Sequence, residues 1–367
     1  MKLLFVLSQI ELTGAETYAV SLTKKLKSKG YRIVFVSDTL NSKNIGVPYY
    51  PLDLDNRKSF VNRFRHIRFL CQMIRKERID LIHAHSRASS WVAYFASRIT
   101  NIPLVTTAHC IYPVHLSRKF LPCFGKKVIA ICESVRDHLI KDLKVNPKDI
   151  FLIPNGIDIH RFRPNIDSAV REEFDILREA KVISWIGRFS GPRGRIIEEV
   201  IGKVFPEILK VIPNLKLLIV AGGNRPFSLK SKVEAINHQF KQEIVKFTGL
   251  RSDIPQIYAL SDLVIGAGRV AIEAMACGCP VLAVGENKFV GLINPQSIEE
   301  GIYNNFGDCC KSEQVNWEGL TKTIMEIFKD EKEANKLSQW GRKVTIDRFD
   351  LEKVTEEVEK VYEKALE

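Results

Sequence analysis

The first half of the chain alternates short apolar runs with longer segments in which apolar residues recur every third or fourth position. Short uninterrupted runs predict buried strands, and the longer spacing predicts helices that pack by one face. The pattern predicts strands over residues 3–7, 33–37, 81–84, 104–107, 128–131 and 151–153 and helices over 15–29, 59–76, 88–98 and 133–142. Strands that alternate with helices are typical of a doubly wound parallel sheet.

The second half repeats this alternation from residue 182. It predicts a strand from 182, a helix over 195–211, strands over 215–220, 245–247 and 281–284, and helices over 330–345 and 351–366. A polar, charged segment, 161–181, separates the halves and is interpreted as a linker. The sequence therefore predicts an α/β protein of two doubly wound, Rossmann-like domains that face each other across a cleft.

One candidate binding loop lies within residues 261–283. A strand over 263–265 leads into Gly266 and Gly268, a helix begins near Val270, and Glu273 falls in its first turn. The N–H groups and positive dipole at a helix start suit a phosphate or a sugar hydroxyl. The carboxylate can accept hydrogen bonds from the two vicinal hydroxyls of a ribose. The alternative is a packed turn whose glycines only allow close approach.

A second candidate loop lies within residues 182–194. A strand again runs into a glycine turn, which contains Gly187 and two cations, Arg188 and Arg193. A guanidinium fork matches phosphate oxygens, so the pair suits a diphosphate, although loop arginines are more often only solvated. Two such loops together favour binding, because parallel α/β sheets bind ligands outside the carboxyl ends of their strands.

Length and composition narrow the class of protein. A chain of 367 residues favours two domains. No apolar run reaches the roughly 20 residues of a membrane helix, and the apolar start is better interpreted as a strand than as a signal sequence. The eight cysteines show no Cys-x-x-Cys spacing and no clustered histidines. Buried thiols in a reduced cytoplasm are therefore favoured over disulfides or zinc.

The net charge of +12 is unevenly distributed. Residues 1–163 carry a net charge of +15 and the remainder −3. This asymmetry predicts an anionic partner for the first half. No nucleic-acid motif is present, so no nucleic acid is expected, and a membrane surface or a lipid-phosphate acceptor fits better.

A basic amphipathic segment, 56–76, gives that partner a candidate surface. Its predicted apolar stripe consists of Phe60, Phe64, Ile67, Leu70 and Ile74. The cations around this stripe are Arg63, Arg65, Arg68 and Arg75. Such a helix lies on an anionic bilayer or packs its stripe on its own sheet. A second basic and apolar piece, 115–127, lies in the same half.

With these motifs in view, the chain resembles the GT-B glycosyltransferases of family 4, which are retaining and use nucleotide sugars. The resemblance covers almost the whole chain. It is carried by the glycine loop at Gly14, the histidine motifs 82–85 and 106–109, the segment 154–158, Gly187–Arg188 with Arg193, the helix 273–280 and the final helix from Leu351. Thr13 stands where a second glycine is usual, and Arg193 where a lysine is usual.

The chain departs from the family pattern at the donor sugar. The family commonly has a glutamate eight residues before the ribose-binding one, and this position is Ile265. The loop 285–294 also lacks the usual Gly-Gly-x-x-Glu pattern. Recognition of the sugar is therefore expected to differ, through Arg269 or backbone amides such as that of Gly268.

The resemblance implies a domain division and a set of site residues. Residues 1–163 would form the acceptor-side domain, with the helix 350–367 packing back on it, and 164–349 the nucleotide-sugar domain. Arg188 and Arg193, with the Gly14 backbone, would neutralise the leaving diphosphate without a metal. The other expected substrate contacts are His85, His109, Asn155, Gly187, Gly268, Arg269 and Glu273.

Each of these roles has a structural alternative. His109 would hydrogen-bond the substrate or steer a proton, but a lone histidine is more often structural. Asn155 orients a hinge or caps a turn. The Asp-x-Asp at Asp53 and Asp55 would bind a metal in another class of glycosyltransferase, and is interpreted as chance because it lies outside both glycine loops.

Three functions follow from the resemblance. The leading one is transfer of a hexose, with retention, from a nucleotide-diphosphate sugar to a cell-envelope polysaccharide or a lipid-linked acceptor. No cofactor is expected, and the protein would act in the cytoplasm at the inner face of the membrane. The alternatives are a non-catalytic nucleotide-sugar-binding subunit, motivated by Ile265, and a nucleotide-sugar 2-epimerase of the same fold.

Overall fold

A computed structural model describes residues 1–8, 14–38, 45–54, 60–114, 123–166, 169–222, 224–310 and 315–367. Thr13, Asp55, the side chain of Phe60 and most of the basic piece 115–127 lie outside these residues. The chain forms two compact units, Met1–Asp158 with Phe349–Glu367, and Ile159–Arg348. Among the described residues, no helix combines the length and apolar composition of a membrane span.

The first unit contains a seven-stranded parallel sheet with the order β3-β2-β1-β4-β5-β6-β7. Its strands are β1 Lys2–Leu7, β2 Arg32–Ser37, β3 Tyr49–Pro51, β4 Leu81–Ala84, β5 Leu104–Ala108, β6 Lys127–Ala130 and β7 Ile150–Leu152. Its first helices are α1 Gly14–Ser28, α2 Phe60–Glu77, α3 Arg87–Thr100 and α4 Glu133–Lys141. The predicted alternation is confirmed, and the central strands are mainly apolar and are buried on both faces.

The second unit contains a six-stranded sheet with the order β10-β9-β8-β11-β12-β13. Its strands are β8 Lys181–Ile186, β9 Leu215–Val220, β10 Val245–Phe247, β11 Leu263–Gly266, β12 Val281–Val284 and β13 Phe289–Leu292. The first five are parallel, whereas β13 forms an antiparallel hairpin with β12. This hairpin was not predicted, because 285–294 was interpreted as a loop; all four residues of β13 are only half-buried.

The helices of the second unit surround this sheet. They are α5 Val170–Glu173, α6 Pro192–Glu199, α7 Phe205–Leu209, α8 Phe227–Gln239, α9 Ile254–Leu260, α10 Arg269–Ala276, α11 Ile298–Tyr303, α12 Trp317–Lys329 and α13 Glu331–Arg348. A π-helical turn, Val200–Val204, joins α6 to α7, so the helix predicted over 195–211 is continuous but not uniformly α-helical. The fold prediction of two α/β sheet units is confirmed.

The last helix, α14 Leu351–Leu366, completes the core of the first unit. Val354, Val358 and Val361 pack in one cluster with residues of β1 and α1. Tyr362 is fully buried, and its hydroxyl lies 2.7 Å from Nδ1 of His83 in β4. The predicted return of the final helix to the first unit therefore has an apolar and a polar component.

Helix α2 corrects the predicted apolar stripe. Ile67, Leu70 and Ile74 are buried in the core of the first unit, as the packing alternative required. Phe64 is 76% exposed and does not belong to this face. The buried arc extends from Leu70 towards Met73 instead, which leaves Phe64 at the opposite edge of the helix.

We expect Tyr362→Phe to destabilise the first unit by about 1–3 kcal/mol, because Nδ1 of buried His83 loses its partner. Urea unfolding measures the change in free energy. A short deuterium pulse labels the unfolded fraction of the first unit, and this fraction is read from peptides that contain β4 and β5. Glu357→Gln, on the exposed face of the same helix, is the control and should change the free energy by only a few tenths of a kcal/mol. Equal effects of the two substitutions would contradict the assignment.

Candidate functional site

The two glycine loops of the second unit follow adjacent strands. Strands β8 and β11 pair in parallel, so their carboxyl ends lie at the same edge of the sheet. Gly187 follows β8, and α6 begins at Pro192 after Gly191, which has a φ of +69°. Gly268 precedes α10 with a φ of +56°. The backbone geometry of both turns favours glycine, as the loop interpretation assumed.

The two predicted arginines converge on one acid. Arg188 donates from Nη2 to Oε1 of Glu286 at 2.9 Å, and Arg193 donates from Nε to the same oxygen at 3.1 Å. Arg193 also donates from Nη2 to Asp308 at 2.5 Å. The structure therefore brings Arg188 and Arg193 together, as a diphosphate site requires, but with acidic partners in place.

The sequence analysis missed Glu286 and Asp308. Glu286 lies in the turn between β12 and β13, at the carboxyl end of a strand adjacent to β11. A position at the carboxyl end of a strand could have indicated Glu286 as a site residue, but the sequence analysis considered only the Gly-Gly-x-x-Glu pattern that this loop lacks. Asp308 follows α11 and is distant in sequence from both glycine loops, so no local pattern pointed to it.

Asp308 connects the two loops. A Cβ placed on Gly268 would lie 2.6 Å from Oδ2 of Asp308, so a larger residue there would collide with the carboxylate. Burial raises the pKa of Asp308, opposed by the neighbouring Arg193. Burial lowers the pKa of Arg193, but Asp308 and Glu286 outweigh it, so this pKa is raised. Arg193 is therefore a permanently charged group held from two sides.

Glu273 lies in the second turn of α10, not in the first as predicted. The helix begins at Arg269, one residue earlier than the sequence suggested, so the carboxylate is further from its N-terminus. Oε1 of Glu273 accepts from Nε of Arg269 at 2.7 Å, and Oε2 accepts from the Tyr258 hydroxyl at 3.0 Å. All three residues are buried. Arg269 is thus a partner of Glu273, and Tyr258 is a further site residue that the sequence did not reveal.

The acid–tyrosine contact has an electrostatic consequence. Burial, together with the charge of Glu273, raises the pKa of Tyr258 well above its usual value. The hydroxyl of Tyr258 therefore stays protonated and donates to the carboxylate. Ile265, where the family commonly has a second glutamate, is fully buried in the apolar core of this unit. No polar contact from that position is possible, which agrees with the departure identified in the sequence.

The first unit contains three neighbouring imidazoles. His83 and His85 are two residues apart on β4 and its carboxyl end, so they point to the same face of the sheet. Their ring centroids are 3.9 Å apart, and those of His85 and His109 are 5.9 Å apart. His83 is fixed by Tyr362 and by Oγ1 of Thr107 at 2.8 Å. The predicted His85 and His109 are therefore direct neighbours, and His83, which was not predicted as a site residue, packs against His85.

These imidazoles are neutral at physiological pH. Burial lowers the pKa of His83 to about 3 and that of His109 to about 4. Burial and the two other rings lower the pKa of His85 well below its usual value. Both ring nitrogens of His109 are buried, although the residue as a whole is only half-buried. The group can donate or accept a hydrogen bond, but it does not supply a positive charge.

The remaining predicted residues lie at strand ends of the first unit. Gly14 begins α1, which follows β1, so its backbone lies at a helix N-terminus. Asn155 is buried after β7, and Gly156 beside it packs against Leu351 at the start of α14. Among the described residues, no group of three or more metal-binding side chains is positioned to hold a metal ion.

Comparison with known proteins covers both units. Residues 12–161 match the model of Glycosyltransferase Family 4, and residues 170–344 match that of Glycosyl transferases group 1. The chain is 24% identical, over 88% of its length and 90% of the relative, to UDP-Gal:alpha-D-GlcNAc-diphosphoundecaprenol alpha-1,3-galactosyltransferase of Escherichia coli.

Two solved structures share the fold over nearly the whole chain. A glycosyltransferase from Rickettsia africae ESF-5 superposes with a TM-score of 0.81 at 22% identity, covering 100% of this chain and 98% of that one. Anabaena HepE in complex with UDP and glucose superposes with a TM-score of 0.74 at 21% identity, covering 99% of each chain.

The imidazole cluster predicts a pH dependence. Its folded-state pKa values lie below the ordinary 6.5, so the stabilisation is present above pH 6.5 and is lost as the pH falls towards 4. In this window, each imidazole should contribute about 1.4 kcal/mol per pH unit to the slope of the unfolding free energy against pH. We expect His85→Leu to lower this slope by the contribution of one imidazole. Urea unfolding between pH 6.5 and 5 measures the slope, with the deuterium pulse applied at one fixed pH. An unchanged slope would contradict the burial of His85 in its neutral form.

Proposed function

Because the chain belongs to the GT-B glycosyltransferases of family 4, we propose that it transfers a hexose, with retention, from a UDP-sugar to a lipid-linked or glycan acceptor. The observation that carries this proposal is the convergence of Arg188 and Arg193 at the carboxyl edge of the second sheet. Two guanidinium groups aimed at one point suit the oxygens of a diphosphate. The proposed donor follows from the Escherichia coli relative, whose name specifies UDP-Gal, and from Anabaena HepE, which was solved with UDP and glucose.

In the proposed reaction, the leaving nucleoside diphosphate carries the largest developing charge. Preorganised cations at that position stabilise the transition state more than the ground state. Arg188 and Arg193 take this role, with backbone N–H groups near Gly187 and Gly268. Because guanidinium groups supply the positive charge, we propose that the transfer needs no metal ion.

The remaining groups bind and orient the substrates. Glu273 receives the ribose hydroxyls, and its hydrogen bonds from Arg269 and Tyr258 hold its side chain in one rotamer. His109 acts as a neutral hydrogen-bond donor or acceptor towards the sugar or the acceptor, with His85 packed beside it. Asn155 is assigned to the chain segment that joins the two units.

A non-catalytic nucleotide-sugar-binding subunit is the second candidate. It is favoured by Ile265, which fills the core where the family commonly has a sugar-contacting glutamate. Nucleotide binding without turnover would support this candidate. A 2-epimerase would convert the nucleotide sugar into its epimer and needs no acceptor, whereas the proposed transferase would release nucleotide only when an acceptor is added.

We expect Arg188→Ala to lower kcat/KM by about 100-fold or more, because the diphosphate loses a cation where negative charge develops. The measurement is UDP release from UDP-glucose or UDP-galactose with an acceptor present. Arg178→Ala, an exposed arginine of the same unit, is the matched control and should leave the rate unchanged. A chelator should also leave the rate unchanged. Full activity of Arg188→Ala, or its loss on chelation in the unmodified chain, would refute the proposed mechanism.

We also propose that the first unit binds an anionic membrane surface through α2. Val61 and Phe64 are 59% and 76% exposed, and Arg65 and Arg68 are exposed beside them. The only acid in this helix is Glu77, its last residue. An apolar side chain surrounded by cations suits the headgroup region of an anionic bilayer, where each cation contributes about 1 kcal/mol.

Sedimentation with phosphatidylglycerol vesicles tests this surface. Phe64→Ser combined with Arg65→Glu should lower the bound fraction strongly, and added salt should lower it for the unmodified chain. Phe227→Ser is the matched control, because Phe227 is 84% exposed but lies in the second unit. Binding that is insensitive to salt and to both changes at α2 would end the membrane proposal.

A further inference from the structure

The carboxylate of Glu286 occupies the point at which the two arginines converge. Arg188 Nη2 and Arg193 Nε both donate to its Oε1, at 2.9 and 3.1 Å. A single oxygen that accepts from two guanidinium groups has the surroundings of a bound phosphate oxygen. The side chain of Glu286 is 22% exposed, and that of Arg188 is 43% exposed, so solvent reaches this pair.

Asp308 holds the same arginine in a different way. It accepts from Nη2 of Arg193 and, at Oδ1, from the backbone N–H of Glu286 at 3.4 Å. Its carboxylate lies beside Gly268 and is 16% exposed. Arg193 therefore has two acidic partners of similar exposure, and they differ in their other contacts: Asp308 accepts from the backbone of Glu286, and Glu286 accepts from Arg188.

The backbone that carries Glu286 is anchored. A Cβ on Gly285 would lie 2.1 Å from the backbone of Gly307, so the two chain segments are in direct contact. The backbone N–H groups of Asn287 and Lys288 donate to the Gly307 carbonyl at 3.2 and 3.1 Å. The side chain of Asn287 donates to the Asp308 carbonyl at 2.8 Å. Because the turn is fixed, Glu286 leaves the arginines only by rotation of its side chain.

Resting on the diphosphate role given above to Arg188 and Arg193, we propose that Glu286 holds the place of a donor phosphate and is displaced when the diphosphate binds. Asp308 is a positioning residue that keeps Arg193 aimed at the same point throughout. Both arginines then keep an anionic partner in the empty and the occupied state. A carboxylate that stayed beside the diphosphate would place like charges in contact, and its departure removes that repulsion.

The two acids should therefore act on nucleotide binding with opposite signs. Glu286→Gln keeps the shape and the acceptor oxygen but removes the competing charge. We expect it to tighten UDP binding by about three- to tenfold, since the competing ion pairs are partly exposed. Asp308→Asn leaves Arg193 less constrained, and we expect it to weaken UDP binding by about tenfold.

Isothermal titration of the full chain with UDP measures both effects. Uridine, titrated by NMR, is the second probe: it lacks phosphates, so its affinity should be the same in the unmodified chain and in Glu286→Gln. Glu207→Gln is the matched control, because Glu207 pairs with Lys210 on an exposed surface of the same unit. If Asp308→Asn fails to fold, the partly exposed Glu286 still decides the result.

The outcomes separate this inference from the proposed function. UDP binding that is weaker or unchanged in Glu286→Gln would overturn the inference, as would an equal change for uridine. If Arg188→Ala does not weaken UDP binding, the proposed diphosphate site itself is wrong. If Arg188→Ala weakens binding but Glu286→Gln does not tighten it, only the role of Glu286 is wrong.

Discussion

The charge balance around Arg193 is the interaction on which the second unit's candidate site depends. A guanidinium group removed from water needs anionic partners, and leaving one unpaired is strongly destabilising. Asp308 and Glu286 meet this need from two different segments, and both contacts fix where the arginine points. The two glycine loops are thereby joined through side chains that neither loop contains. The need to pair the Arg193 cation therefore determines which side chains meet at the strand ends of this sheet.

In the first unit, buried side chains are positioned at strand ends by neutral groups instead of ion pairs. His83, His85 and His109 are neighbours at strand ends, and burial keeps all three neutral. Tyr362 and Thr107 form hydrogen bonds with the His83 ring, and the ring of His85 contacts those of His83 and His109. Paired arginines and acids in one unit and neutral imidazoles in the other give their strand ends different chemistry. One suits an anion, and the other suits hydroxyl groups.

Much of the fold was predictable because most residues of its central strands are apolar and buried. Runs such as 3–7 and 215–220 leave little choice of structure, and the strands formed as expected. The sequence predictions were less accurate where tertiary contacts determine which residues are buried and where an element begins. Phe64 satisfies the helical spacing but lies outside the buried arc of α2. Glu273 falls in the second turn of α10 because that helix begins at Arg269, one residue earlier than predicted. Strand β13 is only half-buried and lies in a segment that was interpreted as a loop.

The candidate site was predictable as far as its residues lie in the loops themselves. Arg188, Arg193 and Glu273 stand beside glycines at strand ends, where a general rule applies. Their partners come from elsewhere in the chain: Glu286 from a hairpin, Asp308 from beyond α11, and Tyr258 from α9. A single sequence does not specify which distant acid faces a given arginine. Only the folded chain reveals these pairs.

The path of the chain through the two units has a consequence for biosynthesis. The first unit is made of residues 1–158 and 349–367, and the second unit is inserted between them. On the ribosome, the sheet of the first unit emerges before the second unit, and the valines of α14 and Tyr362 emerge after it. The nascent chain must therefore keep one apolar surface of the first unit uncovered while the whole second unit is translated, until α14 follows and covers it.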